Sequence, residues 1–264
     1  MPKDTIYTAK QTDAAGRIDY TPQEDAVWRD LVAQQQPGVD RLASRLFLNG
    51  QKRLNLPSDR VPQCVEISKT LLELTGWQVA PVPALIGFER FFRMLSEKTF
   101  PAASFIRSRE DFDYIEEPDI FHEIYGHTPL LTDPRFAEFS QTIGDIGLRC
   151  EKSDFSWLIR LYWFTIEFGL IREGSDVKAL GSGLASSPGE LAHSVHDPSV
   201  IRKPFDVIDI LRTPYRIDIN QPIYFVLDDV SQLMDASNRD LLGDIKQART
   251  LGLHEPVYPP KEKK

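Results

Sequence analysis

The sequence predicts a mainly α fold: a single domain of packed helices with a few short β-strands and hairpins. Three observations predict it. Apolar residues recur at helical spacing along most of the 264 residues, whereas alternating stretches are few and short. No segment recurs at a period of roughly 20 to 50 residues, as a solenoid or propeller requires. No linker-like run interrupts residues 21–250, so the helices are expected to share one core, with residues 1–20 a loose arm and 251–264 a flexible tail.

The elements follow in order. Thr21-Pro22-Gln23-Glu24 has the cap and first-turn pattern of a helix start. That helix is expected to run through Trp28, Leu31 and Val32 to Gln36, where Pro37-Gly38 ends it. A second helix is expected over 39–49, closed by Gly50, and a third over 62–74, stopped by Gly76. The prolines of 79–83 demand extended chain. A helix over 88–96 buries Phe91, Phe92 and Leu95, and 100–107 alternates weakly as a strand does. Helices over 135–150 and 157–171 follow, the second reaching toward Gly174. The run from Gly181 to Gly189 is small and flexible until Glu190 opens a short helix; it lacks the Gly-Lys-Ser/Thr of a phosphate loop. Strands are expected at 216–219 and 223–227, then a helix over 230–249, and disorder from Pro259 onward.

Composition narrows the function classes. Hydrophobic residues are 41% and charged residues 27%, as in soluble globular chains. A net charge of −8 with no basic stripe argues against nucleic acid or an anionic membrane as partner. Cys64 and Cys150 are too few for a disulfide framework and suggest a reducing compartment. No apolar run is long enough to span a bilayer, and a cytoplasmic location is expected.

Chemistry concentrates between Glu117 and Pro129. Pro118 suits a helix entry, and Asp119 places a carboxylate near the free N–H groups of the first turn. Two of the chain's five histidines, His122 and His127, stand here with Glu123 beside the first. Zinc-protease histidines lie four apart on one helical face. The five-residue gap turns the second ring well away on an undistorted helix, and Gly126 is expected to give the freedom that brings it back. A third ligand must come from elsewhere.

The stretch 157–171 is apolar almost all round, as a core helix is. Glu167 stands in it, with Trp163 and Ile171 expected one turn to either side. An ionised carboxylate there is costly unless something pairs with it. Two neutral imidazoles and one carboxylate make the facial set that favours non-haem Fe(II). From the residues alone, zinc and a plain salt bridge to Arg160 or Arg172 remain open.

PDIFHEIYGHTPLL at 118–131, YWFTIEFGLI at 162–171 and GSGLASSPGEL at 181–191 together resemble the aromatic amino acid hydroxylases, the tetrahydropterin-dependent iron monooxygenases. The similarity runs from about Trp28 to about Asp229. It implies a catalytic domain over 21–250 in which His122, His127 and Glu167 hold Fe(II), with tetrahydropterin and O2 serving to hydroxylate an aromatic amino acid. Arg107 matches the arginine that takes the substrate carboxylate, for which its fork is suited, and Asp119 matches its partner. Trp163 matches a ring-packing position, and Ser186 a serine serving substrate and a histidine ligand. Phe91 matches the aromatic stacked on the pterin, Leu85 and Ile86 its backbone contacts, and Glu123 and Tyr162 residues beside pterin and iron.

Ile115 departs from the threonine that animal members carry near the substrate carboxylate. The chain resembles the compact bacterial form of the family, without a long regulatory region or a heptad helix, which implies a monomer acting on phenylalanine. Tyrosine and tryptophan are the alternative substrates. Ile217, apolar where a tyrosine-specific enzyme tends to carry an acid, favours phenylalanine. A zinc hydrolase with Glu123 as base is the rival from another class; the five-residue gap and apolar surroundings count against it. His193, His196 and His254 have no matching ligand partner, and Glu190 is expected to support the Ser186 loop.

Overall fold

Thr21 opens α1 (Pro22–Leu42) with a reciprocal cap: its hydroxyl accepts the Glu24 N–H at 3.3 Å, and the Glu24 carboxylate accepts the Thr21 N–H at 2.7 Å. The structure, a computed structural model, describes residues 7–83, 86–113, 115 and 117–260. The helix does not end at Pro37 as expected but continues to Leu42, burying Val39 and Leu42. A proline removes one helical N–H and crowds the preceding turn; here the core contacts of those two side chains outweigh that. α2 (Arg45–Leu54) therefore starts later than expected and includes Gly50, where a β-carbon would come within 2.0 Å of the Pro129 carbonyl oxygen. Gly50 serves close packing, and left-handed Asn55 ends the helix. α3 (Cys64–Thr75) stops at Gly76 as expected.

β1 (Gln78–Val82), α4 (Phe88–Ser96) and β2 (Thr99–Ala103) form a short parallel crossover unit, with Gln78 opposite Thr99 and Val82 opposite Ala103. β2 ends at Ala103, so residues 104–107 leave the strand earlier than expected. α5 (Pro134–Arg149) packs across α4, and α6 (Phe155–Tyr162) follows.

A second sheet has the order β4-β3-β6-β5. β3 (Leu170–Glu173) and β4 (Asp176–Ala179) form a hairpin, while β6 (Ile223–Leu227) runs parallel to both β3 and β5 (Ile201–Pro204). Residues 170–171, expected to be helical, are strand because they pair with Val226 and Leu227, a contact no local periodicity reports. Residues 216–219 are loop rather than strand, two of their carbonyls being bonded by the Gln221 side chain. The glycine-rich run is not a flexible loop: it folds into α7 (Ser182–Ala185) and the start of α8 (Pro188–His196). After α9 (Val207–Arg212), the expected last helix is two, α10 (Ser231–Ser237) and α11 (Leu241–Leu251), the second capped by Asp240.

Helices dominate and the strands are short, as the sequence predicts. Trp28, Phe47, Trp77, Phe121, Phe164 and Phe225 are fully buried in one core, each worth about 1.5–3 kcal/mol of apolar burial. The segment after α11 is hydrogen-bonded back to the protein. Arg212 Nε donates to the Gly252 carbonyl at 2.7 Å, the His254 N–H donates to the Arg212 carbonyl at 2.9 Å, and Arg216 Nη1 donates to the Pro259 carbonyl at 2.9 Å. In the N-terminal arm, Tyr7 stacks on Phe105 at 4.6 Å, and Ile18 is buried. No described helix is long and apolar enough to cross a membrane.

Candidate active site

His122 and His127 lie on a π-helix, Phe121–His127, wound with i→i+5 hydrogen bonds. On an α-helix, five residues would leave the rings about 140° apart. The wider turn puts one over the other, with the two Nε2 atoms 3.1 Å apart. The winding of the whole segment closes the gap, rather than a bend at Gly126. Gly126 serves a different end: a β-carbon there would lie 2.8 Å from the Ser182 carbonyl oxygen, so its absence lets α7 press against the π-helix that carries both histidines.

Glu167 ends a second π-helix, Trp163–Glu167, that continues α6. The expected helical turn from Glu167 to Ile171 does not exist, because the chain has already entered β3. Glu167 Oε1 is 3.2 Å from His127 Nε2, and Oε2 is 3.6 Å from His122 Nε2. Donors about 2.1 Å from a divalent ion and at right angles to one another stand about 3 Å apart, so this set fits one face of such an ion.

The hydrogen bonds fix the tautomer of His122. The Ser186 hydroxyl donates to the Ser182 carbonyl at 2.9 Å, so its oxygen accepts from His122 Nδ1–H at 2.8 Å. That leaves His122 Nε2 as a bare lone pair facing His127 and Glu167. Burial pushes the His122 imidazole down to about 4, against the pull of Glu167, so it is neutral at neutral pH.

Two carboxylates compete for the site. Glu123 offers a donor within 4.8 Å of those of His122 and His127, but its Oε2 is 3.9 Å from His127 Nε2, farther than Glu167. Burial and the charges of Glu167 and Asp119 push Glu123 well up. Burial alone would raise Glu167 too, but the two imidazoles and the Ser182 hydroxyl hold it below the ordinary carboxylate range. The ionised member of the pair is Glu167.

Sequence reasoning missed Ser182. Its Oγ lies 3.1 Å from His127 Nε2 and 3.0 Å from both Glu167 Oε2 and the Ile166 carbonyl. Flanking glycines disguised it as part of a flexible run; its spacing of four from Ser186 was the one available signal.

Arg107 and Asp119 form a buried fork, Nε to Oδ2 at 2.8 Å and Nη2 to Oδ1 at 2.9 Å. Asp119 also accepts the backbone N–H of Arg107 at 3.0 Å and of His122 at 3.1 Å. Burial would raise the Asp119 carboxyl, but Arg107 and these N–H groups hold it below its usual range. A cavity of about 480 Å³ is lined by Arg107, Ile115, His122, Trp163, Glu167, Ser186 and Ile217, among others. Trp163 is held between Tyr215, stacked at 4.3 Å, and Phe168 at 4.4 Å.

The expected pterin residues stand apart from this cavity: none of Ile86, Phe91, Glu123 and Tyr162 lines it. Phe91 meets Tyr162 edge-on at 5.3 Å, and Tyr162 lies over the His127 ring at 6.4 Å, which links this group to the histidine pair. Leu85 lies outside the described residues. His193 bonds Asp197 at 3.0 Å and the Gln221 carbonyl at 3.2 Å, away from the ligand set. Glu190 was expected to support the Ser186 loop. Its N–H does donate to the neighbouring Ser187 hydroxyl at 3.4 Å, while its carboxylate accepts the Gln221 N–H at 2.7 Å and the Tyr224 hydroxyl, because α8 turns it toward β6.

Residues 2–248 match the family model of the biopterin-dependent aromatic amino acid hydroxylases. The chain belongs to that family. Relatives of this hydroxylase match nearly its whole length. A phenylalanine-4-hydroxylase of Vibrio cholerae is 49% identical over 98% of this chain and 89% of its own. The apo structure of the cold-active phenylalanine hydroxylase of Colwellia psychrerythraea superposes with a TM-score of 0.93 at 49% identity, covering 95% of this chain and 97% of that one. The Chromobacterium violaceum phenylalanine hydroxylase, solved with bound oxidised Fe(III), gives 0.87 at 34% identity over 92% of this chain and 91% of that one. In this hydroxylase, a convergent imidazole–carboxylate set and an arginine-bearing cavity therefore meet in one place.

Proposed function

We propose that the enzyme hydroxylates L-phenylalanine to L-tyrosine with O2, using Fe(II) and tetrahydropterin, as one catalytic domain over residues 21–250. The observation that carries this reading is the meeting of His122, His127 and Glu167 at a cavity that also presents Arg107 and Trp163. The names of the Vibrio and Colwellia proteins support the substrate, and the Fe(III) of the Chromobacterium structure supports the metal. A monomer in the cytoplasm remains part of the proposal.

Bound iron and reduced pterin would supply the activation of O2. The protein's own share is orientation and exclusion of water. Ser186 keeps His122 in the tautomer that offers Nε2. A facial set of three donors leaves other positions on the ion open. With Nε and one Nη2 hydrogen of Arg107 held by Asp119, and Nη1 donating to the Phe112 carbonyl at 3.4 Å, one Nη1 and one Nη2 hydrogen remain to take the amino acid carboxylate. Trp163, stacked on Tyr215 and tilted against Phe168, lines the cavity with Phe168 and gives the substrate ring an aromatic boundary. Ile217 at the rim offers no partner to a ring hydroxyl, which favours phenylalanine over tyrosine. On the other side of Tyr162, Phe91 offers its ring to a pterin, and Glu123, whose carboxyl burial and neighbouring charge push well up, is the acid nearest that group in the ligand segment.

Product analysis tests the reading. Incubated with Fe(II), reduced pterin and each aromatic amino acid in turn, the enzyme should form tyrosine from phenylalanine and need both metal and pterin. Hydroxytryptophan as the main product, or turnover without pterin, would refute it.

A further inference from the structure

We propose that Gln221 is a positioning residue for the ring-binding wall: it sets the rotation of the Trp163 indole and the curl of the rim residues 216–220, and through them how an aromatic ring lies over the metal ligands. The inference rests on the function proposed above.

Gln221 is 2% exposed, and every polar group of its side chain is engaged. Its Nε2 donates to the Arg216 carbonyl at 2.7 Å and to the Ile219 carbonyl at 3.0 Å, and its Oε1 accepts the Trp163 indole N–H at 3.2 Å. Two backbone carbonyls can only accept, so the NH2 group must face them and the amide oxygen must face the indole. The amide has one workable orientation. Its own position is set from behind, since the Gln221 N–H donates to the Glu190 carboxylate at 2.7 Å, and Glu190, 5% exposed, also accepts the Tyr224 hydroxyl. Gln221 thereby ties α8 and β6 to the second π-helix and to the cavity rim.

Tyr215, stacked at 4.3 Å, and Phe168, tilted at 4.4 Å, restrict the plane of the Trp163 ring but not its swing about the Cα–Cβ bond. The bond to Gln221 removes that freedom. The same amide holds the backbone on either side of Ile217 and Asp218, which line the cavity. Losing it should displace the substrate ring while leaving the ligand set intact, because none of its hydrogen bonds reaches His122, His127 or Glu167.

A double-mutant cycle tests this, with Gln221→Met, Trp163→Phe and the pair, each assayed for phenylalanine KM, tyrosine formed per pterin oxidised, pterin KM, iron content and melting temperature. Gln221→Met should raise the phenylalanine KM about 3- to 10-fold and lower the coupling to tyrosine at least about two-fold, with iron content and pterin KM unchanged. In the Trp163→Phe background, which has no indole N–H to hold, only the contribution through the rim remains, so the same change should alter the phenylalanine KM and coupling distinctly less than it does in the wild type. Gln221→Asn keeps the amide but is too short to bridge indole and rim; run in the same cycle, it covers the case in which Gln221→Met does not fold. Additive effects in the cycle, wild-type kinetics in the Gln221 variants, or loss of iron in step with loss of activity would overturn the inference. A wild-type enzyme that forms no tyrosine would overturn the proposed activity and this inference with it; an active wild type with an additive cycle overturns the inference alone.

Discussion

Arg107 serves two structures through one guanidinium. Its inner edge neutralises the fully buried Asp119, and Asp119 in turn accepts the backbone N–H of His122, a proposed iron ligand. Arg107→Ala would therefore strand a buried carboxylate, and a loss of about 3–5 kcal/mol of stability is expected, with iron retention falling alongside. Arg107→Lys is the cleaner test of substrate binding. It keeps a charge for Asp119 and loses the outer fork, so kcat/KM for phenylalanine should fall on the order of 100-fold with iron content held. Kinetics and metal analysis on both variants check this; undiminished phenylalanine kinetics in Arg107→Lys would place the carboxylate site elsewhere.

At the scale of elements, the two π-helices do what α-helices could not. One brings residues five apart onto one face, and the other delivers Glu167 at a helix end just before the chain turns into β3. Their fit depends on close contact with α7 at Gly126. In Gly126→Ala the new β-carbon must push against backbone, a cost of about 1–3 kcal/mol, and the shift should separate His127 from Ser182 and weaken iron retention. Gly189, with nothing within 4 Å of its would-be β-carbon, is the control whose change to Ala should leave iron content alone. Thermal unfolding and iron content decide it, and equal behaviour of the two variants would show that the contact is slack.

Across the whole molecule, two groups of the site oppose each other as pH falls. The unfolded His122 binds a proton below 6.5, the folded one only near 4, so in this interval acid destabilises the metal-free protein through His122. Glu123, raised well above 4.5, acts in the opposite sense, because above 4.5 the folded side chain holds a proton that the unfolded one has lost. The metal-free wild type should therefore lose less stability between pH 6.5 and 4.5 than His122 alone would take from it. Glu123→Gln removes the compensation, and its stability should fall by about 2 kcal/mol over the same range in denaturant titrations. Equal pH profiles for the two proteins would show that the buried pair does not titrate in this way. The C-terminal segment is the second global feature. Deleting residues 252–264 removes the bonds to Arg212 and Arg216, behind the 216–219 rim, and should lower the melting temperature by a few degrees, from about 2 kcal/mol. An unchanged melting temperature would mean that these bonds are exchanged for water at no cost.

What the sequence determined by itself was the mainly α class and the types of residue gathered at the site. Histidines, a glutamate and an arginine set in apolar stretches demand partners, and that demand is visible in the chain. Caps and stops were legible for the same local reason: Thr21 with Glu24 opens α1, and Gly76 closes α3. The tertiary structure alone decided the rest. Whether a backbone N–H bonds to residue i−4, to i−5 or to a distant strand depends on what packs against it. So the π-winding at His122, the pairing of Leu170 with Val226 and the passage of α1 beyond Pro37 leave no local trace. Ser182 and Gln221 were hidden likewise, since a serine among glycines and a glutamine before a proline acquire their roles only when His127 and Trp163 are folded against them.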